Sequence, residues 1–353
     1  MPPNPRLLLV KLSSLGDVIH NLPVATDIQR AFPSAVIDWA TEGPYTQLVT
    51  LHPSIRSALP VRLRQLKSRW YDPSAWSRFF DDKSRLVAGR YDLVLDTQGL
   101  VKSALIASWP GGPVAGYDRN SIREPLASRW YDKQFAVSRE LHAVERNRAL
   151  AAAALGYAHL AECDYGLPRI WPKADDLPAT PYVVCLHASS RADKRWPASS
   201  WIALGRQLNA MGLNVVLPSG SAAEFAQSQY VAKQLEMATP LAARSMADTA
   251  GILAHARAVI GVDTGLAHLA VALKRPTIGL YLSTQPALTG LYSGHGGNSG
   301  NSGGGGSGGA INLGGGTRKQ IARIEVEAVI QHLRQFIVQP VVQTASQPSP
   351  APT

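Results

Sequence analysis

The sequence is poor in the residues that build secreted scaffolds and membrane spans. It has two cysteines in 353 residues, Cys163 and Cys185. Two cysteines give no disulfide framework, and this pair has no metal-ligand spacing. No apolar run approaches the roughly 20 residues that cross a bilayer. The early run at 7–10 is cut by Lys11, Ser13 and Ser14. That is too short for a secretory signal core, so a cytosolic chain is expected. The G-x-G-x-x-G fingerprint is missing after the first strand pattern, which counts against a dehydrogenase. No D-x-D run sits in a convincing metal setting, so no metal site is expected. Charged residues are only 17% and hydrophobic ones 45%. That balance excludes a charged coiled coil and wholesale disorder.

What the chain does have is positive charge, +10 at neutral pH. Such a balance points to polyanionic partners: nucleic acid, a phosphorylated ligand or an anionic membrane. The excess is concentrated. Residues 56–90 carry nine Lys or Arg against Asp72, Asp81 and Asp82, with Trp70, Tyr71, Trp76, Phe79 and Phe80 interleaved. This is either a solvated helical face or a surface for an anionic substrate or lipid headgroups.

Short apolar runs alternate with longer helical patterns, which reads as βα units around parallel sheets. Strand patterns lie at 6–12, 35–41 and 91–99, with helices after the first and at 143–155. A Pro-containing stretch at 166–180 reads as an interdomain linker. The alternation restarts with strands at 181–189, 214–220, 258–264 and 277–283. The expected architecture is an N-terminal domain at 1–165, the linker, and a C-terminal domain at 181–338. Two such domains enclose a cleft at their strand ends. Residues 294–316 hold 13 glycines in 23 positions and read as a flexible loop. A final amphipathic helix is expected at 321–337, and a disordered tail at 339–353.

Three strand ends carry candidate chemistry. In KLSSLGDVIHNLPV (11–24), Gly16 supplies a tight turn and Asp17 falls at the mouth of the first helix. A helix-start carboxylate is also favoured there simply by unpaired N–H groups and the dipole. In HASSRADKRWP (187–197), Ser189, Ser190 and Lys194 suit a phosphate, or equally a capped, solvated loop. In GVDTGLAHLAVAL (261–273), the N–H groups of Thr264 and Gly265 face an anion at the helix start. The bland alternative has Asp263 or Thr264 as a cap and His268 as a packed residue. Glu224 is either a first-turn carboxylate or a ribose-diol acceptor.

Taken in order, KLSSLGDVIHNLPV, DTQGLVKSAL (96–105), REPLASRWY (123–131), HASSRADKRWP and VDTGLAHL (262–269) resemble the heptosyltransferase I branch of glycosyltransferase family 9. The resemblance runs from about residue 6 to 292. It implies a GT-B fold, two Rossmann-like α/β domains with parallel sheets facing across a cleft. It implies an inverting transfer of heptose from ADP-L-glycero-β-D-manno-heptose to the first Kdo of Kdo2-lipid A, in synthesis of the lipopolysaccharide inner core. By the same resemblance Asp17 is the general base, with Ser14 orienting the site or binding the acceptor. Ser189, Ser190, Lys194, Thr264 and Gly265 match diphosphate contacts, with His268 nearby. Glu224 matches a ribose carboxylate, Met246 an adenine-pocket residue and Asp263 a heptose contact. Arg64, Lys67 and Arg123 match cations for the acceptor's carboxylates and phosphates.

The resemblance further implies no cofactor and no metal, and no nucleic-acid partner. It places the chain on the cytoplasmic face of the inner membrane of a Gram-negative bacterium. Gln285, in LSTQP (282–286), stands where the family often has an acid. Alternatives are a relative with another acceptor or heptose-type donor, and a non-catalytic basic protein that binds RNA or membranes.

Overall fold

The computed structural model describes residues 2–294 and 309–337. The expected tail at 339–353 lies outside the described residues, as does 295–308 of the Gly-rich stretch.

The first sheet comprises β1 (Arg6–Val10), β2 (Val36–Thr41), β3 (Ile55–Pro60), β4 (Leu93–Asp96), β5 (Val114–Tyr117) and β6 (Lys133–Phe135). The second comprises β7 (Tyr182–Leu186), β8 (Asn214–Pro218), β9 (Ala238–Leu241), β10 (Ala258–Val262), β11 (Thr277–Tyr281) and β12 (Ala310–Gly314). All neighbouring strands pair in parallel. Central strands such as β1 and β7 are buried nearly throughout, which is why they read as continuous apolar runs rather than alternating ones.

Helices of the first half are α1 (Leu15–Ile19), α2 (Leu22–Ala31), α3 (Thr46–Val49), α4 (Leu63–Ser68), α5 (Pro73–Ala88), α6 (Val101–Ala107) and α7 (Ala143–Leu155). Those of the second are α8 (Ala198–Ala210), α9 (Ala222–Ala232), α10 (Met246–Ala254), α11 (Gly265–Ala272) and α12 (Val326–Ile337). Pro73 opens α5, where its missing N–H costs nothing, and Asp72 caps it by accepting from the Ser74 N–H at 2.9 Å.

The sheet orders explain where a site must lie. The first runs β3-β2-β1-β4-β5-β6 and the second β12-β11-β10-β7-β8-β9. Read from its other edge, the second is the first repeated: the opening strand is central, and the fourth joins it on the other side. The direction in which successive strands are added therefore reverses at β1/β4 in one domain and at β7/β10 in the other. The crevice outside the strand ends at that reversal is where doubly wound folds bind ligands.

Several expectations are corrected. Residues 310–314, expected within a flexible loop, form β12 and pair with β11 over five positions. Ala-Ile-Asn-Leu supplies a strand core that the surrounding glycines conceal. The last helix begins at Val326 rather than 321. The helix expected to run through Phe32 is two helices, α1 and α2, with Pro23 near the start of the second. Strands β3, β5, β6, β9 and β12 lay outside the expected runs; β6 has only three residues. The segment 166–180 packs on both halves. Gly166 abuts His52, while the Trp171 carbonyl meets His255 Nε2 at 2.8 Å.

Candidate active site between the two sheets

The site begins with the turn between β1 and α1. Gln98, just beyond β4, holds it by three contacts. Its Oε1 accepts from the N–H groups of Leu12 (2.9 Å) and Ser13 (3.3 Å), and its Nε2 donates to the Ser13 carbonyl at 2.7 Å. Gln98 is pinned in turn by Asp96, which is fully buried and accepts from Gln98 N, Ser103 Oγ and the Tyr131 hydroxyl at 2.7–2.8 Å. Burial raises the Asp96 pKa against these bonds. Ser14 and Asp17 follow on this scaffold. Asp17 Oδ2 accepts from Ser14 N at 2.7 Å and Ser14 Oγ at 2.9 Å. Asp17 thus fills the helix-start role through Oδ2, while Oδ1 has no hydrogen bond among the described residues.

Lys11 lies beneath this turn, a residue sequence reasoning passed over as a mere break in an apolar run. It is buried, donating to the Thr97 carbonyl at 2.7 Å and to Asn147 Oδ1 at 3.3 Å. Burial lowers its pKa to about 8, with the charges of Asp17 and Asp96 opposing that fall. Gln98 and Asp96 were visible in the DTQG motif, but nothing in the sequence showed that β4 lies beside β1.

Opposite stands the β10–α11 turn. Lys194 Nζ contacts Asp263 Oδ2 at 2.5 Å, and Thr284 Oγ1 donates to the same oxygen at 2.8 Å. Thr264 is the N-cap of α11, and its side chain makes no capping hydrogen bond to the first N–H groups. These N–H groups and the Lys194 ammonium gather donors and a positive charge at one corner, the kind of arrangement an anion needs. Ser189 is buried and Ser190 exposed in the loop after β7, and Arg195 Nε donates to the Ser189 carbonyl at 3.0 Å.

The two turns meet directly. A Cβ on Gly265 would lie 2.5 Å from Leu15 Cγ, and one on Gly16 would lie 3.2 Å from His268 Cδ2. Only glycine allows α1 and α11 to approach this closely. His268 therefore sits beside Asp17, and the charges of Asp263 and Asp17 both act on it. Gly265→Ala is expected to force these helices apart and weaken any ligand bound across both domains. Small-angle scattering and ligand titration check this; an unchanged scattering profile with unchanged affinity would refute it.

A cluster of imidazoles seals the base of this junction. His20 Nε2 and His268 Nδ1 are 3.1 Å apart, and His142 packs edge-on to His20 with ring centroids 5.3 Å apart. Burial holds all three below the ordinary histidine range, His142 at about 4. The unfolded chain therefore takes up protons first. The His142 contribution to stability is complete above about pH 6.5 and is lost as pH falls toward 4. Between pH 7 and 5.5 it should cost about 1 kcal/mol. Urea unfolding of the parent and His142→Gln at both pH values tests this. The variant should show the shallower dependence, and equal slopes would dispose of the idea.

The remaining expected residues lie around this centre. Glu224 lies in the first turn of α9 and accepts from the Gly220 N–H at 2.7 Å, as a first-turn carboxylate does. Met246 begins α10 and is half-buried. Its N–H donates to Gln47 Oε1 of the first domain at 3.2 Å. Arg123 is exposed, and its charge acts on Lys11. Arg64 and Lys67 are exposed on α4; Arg64 Nε lies 3.9 Å from Glu42. Gln285 donates to the Gly315 carbonyl, fastening the segment after β12 rather than facing the Asp263 pair. Among the described residues, no three His, Cys, Asp or Glu are grouped to hold a metal ion.

Comparison with known proteins agrees with this geometry. Residues 82–303 match the model of glycosyltransferase family 9 (heptosyltransferase). The chain is 45% identical over 293 residues to lipopolysaccharide heptosyltransferase 1 of Pseudomonas aeruginosa, covering 81% of each. It is 38% identical to the Salmonella typhimurium protein of that name, covering 81% of this chain and 91% of the relative. Among solved structures, E. coli heptosyltransferase WaaC with ADP superposes at TM-score 0.83 with 33% identity, covering 94% of this chain and 99% of that one. The same enzyme with ADP-2-deoxy-2-fluoro heptose superposes at 0.78. Two Rossmann-like domains in the GT-B arrangement, and motifs spread over both, leave one assignment: this chain is a glycosyltransferase and belongs to glycosyltransferase family 9, the heptosyltransferases.

Proposed function

We propose that the chain transfers L-glycero-D-manno-heptose from ADP-heptose to the first Kdo of Kdo2-lipid A, with inversion, in lipopolysaccharide inner-core synthesis. The observation that carries this reading is the meeting of α1 and α11, which sets Asp17 of one domain against the Lys194–Asp263 pair of the other. The names of the relatives support the donor and the pathway.

In this reading the Kdo hydroxyl attacks the heptose anomeric carbon as the bond to ADP breaks. Asp17 takes the hydroxyl proton through its free Oδ1, and a single displacement inverts the anomeric configuration. Negative charge grows on the departing diphosphate. Lys194, Ser189, Ser190 and the N–H groups of Thr264 and Gly265 are preorganised for it, and ADP-heptose serves as substrate with no cofactor. Asp263 takes heptose hydroxyls, Glu224 the ribose and Met246 the adenine. Ser14, Arg64, Lys67 and Arg123 serve the acceptor. ADP release from ADP-heptose, measured with and without Kdo2-lipid A, tests the whole. Release that does not depend on the acceptor, or none at all, would remove this reading.

Lys194→Ala is expected to weaken ADP binding by about 1–3 kcal/mol, the loss of a charge-assisted hydrogen bond. Calorimetry reads it, and an unaltered affinity would take Lys194 out of the diphosphate site.

The acceptor is a lipid, and the fold offers a surface for its membrane. Trp70, Tyr71 and Phe80 are 70%, 72% and 54% exposed on the α4–α5 hairpin, amid the basic residues. We place this surface on the anionic cytoplasmic leaflet, where each basic residue contributes roughly 1 kcal/mol. Among the described residues no helix is long and apolar enough to cross a membrane. Co-sedimentation with anionic vesicles should fall for Trp70→Ser with Phe80→Ser. Retention equal to the parent would reject this surface.

A further inference from the structure

His20 does not belong to the donor domain, yet it touches the donor domain's own histidine. It ends α1, is 3% exposed, and holds His268 through a 3.1 Å nitrogen–nitrogen contact. One proton lies between these two nitrogens. If His268 were the donor, His20 Nε2 would be the bare acceptor and His20 Nδ1 would carry a hydrogen. That Nδ1 is buried and has no partner among the described residues. Its neighbour His142 has no lone pair to spare. Nδ1 of His142 already accepts from the Val144 N–H at 3.2 Å, and its Nε2 meets the Gly290 carbonyl at 3.1 Å. A buried N–H without an acceptor is among the rarest of unsatisfied groups, and a bare acceptor is tolerated more readily. The hydrogen therefore sits on His20 Nε2, which donates to His268 Nδ1.

That choice propagates. A neutral imidazole with Nδ1 accepting must carry its hydrogen on Nε2. His268 lies in the first turn of α11, and its Nε2 is 3.6 Å from where a Cβ on Gly16, the residue before Asp17, would stand. We propose that His20 is a positioning residue: from the acceptor-side domain it fixes the tautomer of His268, so that an N–H rather than a lone pair faces the diphosphate of a bound sugar nucleotide. This rests on the sugar-nucleotide reading of the site and adds a part to it. A lone pair in that place would repel a diphosphate oxygen; an N–H binds it. The donor pocket is consequently complete only while the two domains are seated as here.

Long-range proton–nitrogen NMR of the histidine rings tests this directly, with ADP affinity measured alongside. In the parent, His268 should show the Nε2–H form. His20→Phe keeps the volume but removes the donor; His268 should then lose its single tautomer, and ADP should bind about 10-fold more weakly. His20→Gln, whose amide can still donate, should restore affinity to within about 3-fold, which a purely structural role for the ring would not do. An Nδ1–H form of His268 in the parent overturns the proposal, and that readout needs no variant to fold. So does unchanged ADP affinity in a folded His20→Phe protein. A parent that shows the Nε2–H form but binds no ADP would instead overturn the sugar-nucleotide reading on which this rests.

Discussion

Asp17→Asn is expected to cut heptose transfer by about 10³-fold while leaving ADP affinity within a few-fold of the parent. A positioned general base contributes about 10²–10⁴-fold, and the amide cannot take a proton. The variant is otherwise mild. An asparagine oxygen still accepts from the Ser14 N–H and hydroxyl, so the start of α1 keeps its cap. Loss of turnover with retained binding and an unchanged melting temperature would therefore report proton transfer rather than folding. Gln98→Ala offers the graded comparison. It leaves Asp17 intact but releases the Leu12–Ser13 backbone that aims it. A misplaced base of this kind should lower kcat more than it alters ADP affinity. If Asp17→Asn transfers heptose at the parent rate, the base is another residue and the mechanism proposed above is wrong.

Arg148→Ala is expected to destabilise the fold by about 3–5 kcal/mol, a large part of the stability of an ordinary domain. Arg148 and Asp27 are each 1% exposed and meet at 2.7 Å. The same guanidinium ties α7 to the strand-free segment that follows it, through the Leu160 and Glu162 carbonyls, each at 2.7 Å. Truncation would leave Asp27 buried without its cation and two carbonyls without their donor. Urea denaturation measures the loss. Pairing Arg148→Met with Asp27→Leu should recover much of it, since the cost lies mainly in the unpaired charge. A single variant as stable as the parent would show that water reaches Asp27.

How much of this was legible beforehand varies by element and for identifiable reasons. The strand cores β1, β2, β4, β7, β8, β10 and β11 declared themselves, because parallel strands buried on both faces demand unbroken apolar runs. β12 did not, since its four useful residues are framed by glycine, and β6 is too short to stand out. Asp17, Lys194, Asp263 and Thr264 stood out as candidates from their place in the segments after strands. Lys11 and His20 announced nothing, and Gln98, though visible in the DTQG motif, did not show what it would hold. A lysine just past a strand, a histidine at a helix end and a glutamine in a loop are ordinary until their neighbours are known.

Local chemistry along the chain was therefore enough for two α/β halves, for the turns that carry reactive groups, and for the family those turns resemble. It could not say that β4 lies beside β1, that α1 rests on α11, or that His20 meets a histidine 248 positions away. Those facts arise from strand order and from two glycines that let helices from separate domains touch. Each joins residues far apart in the chain, and the pairing is set by the burial of whole faces rather than by any one residue's preference.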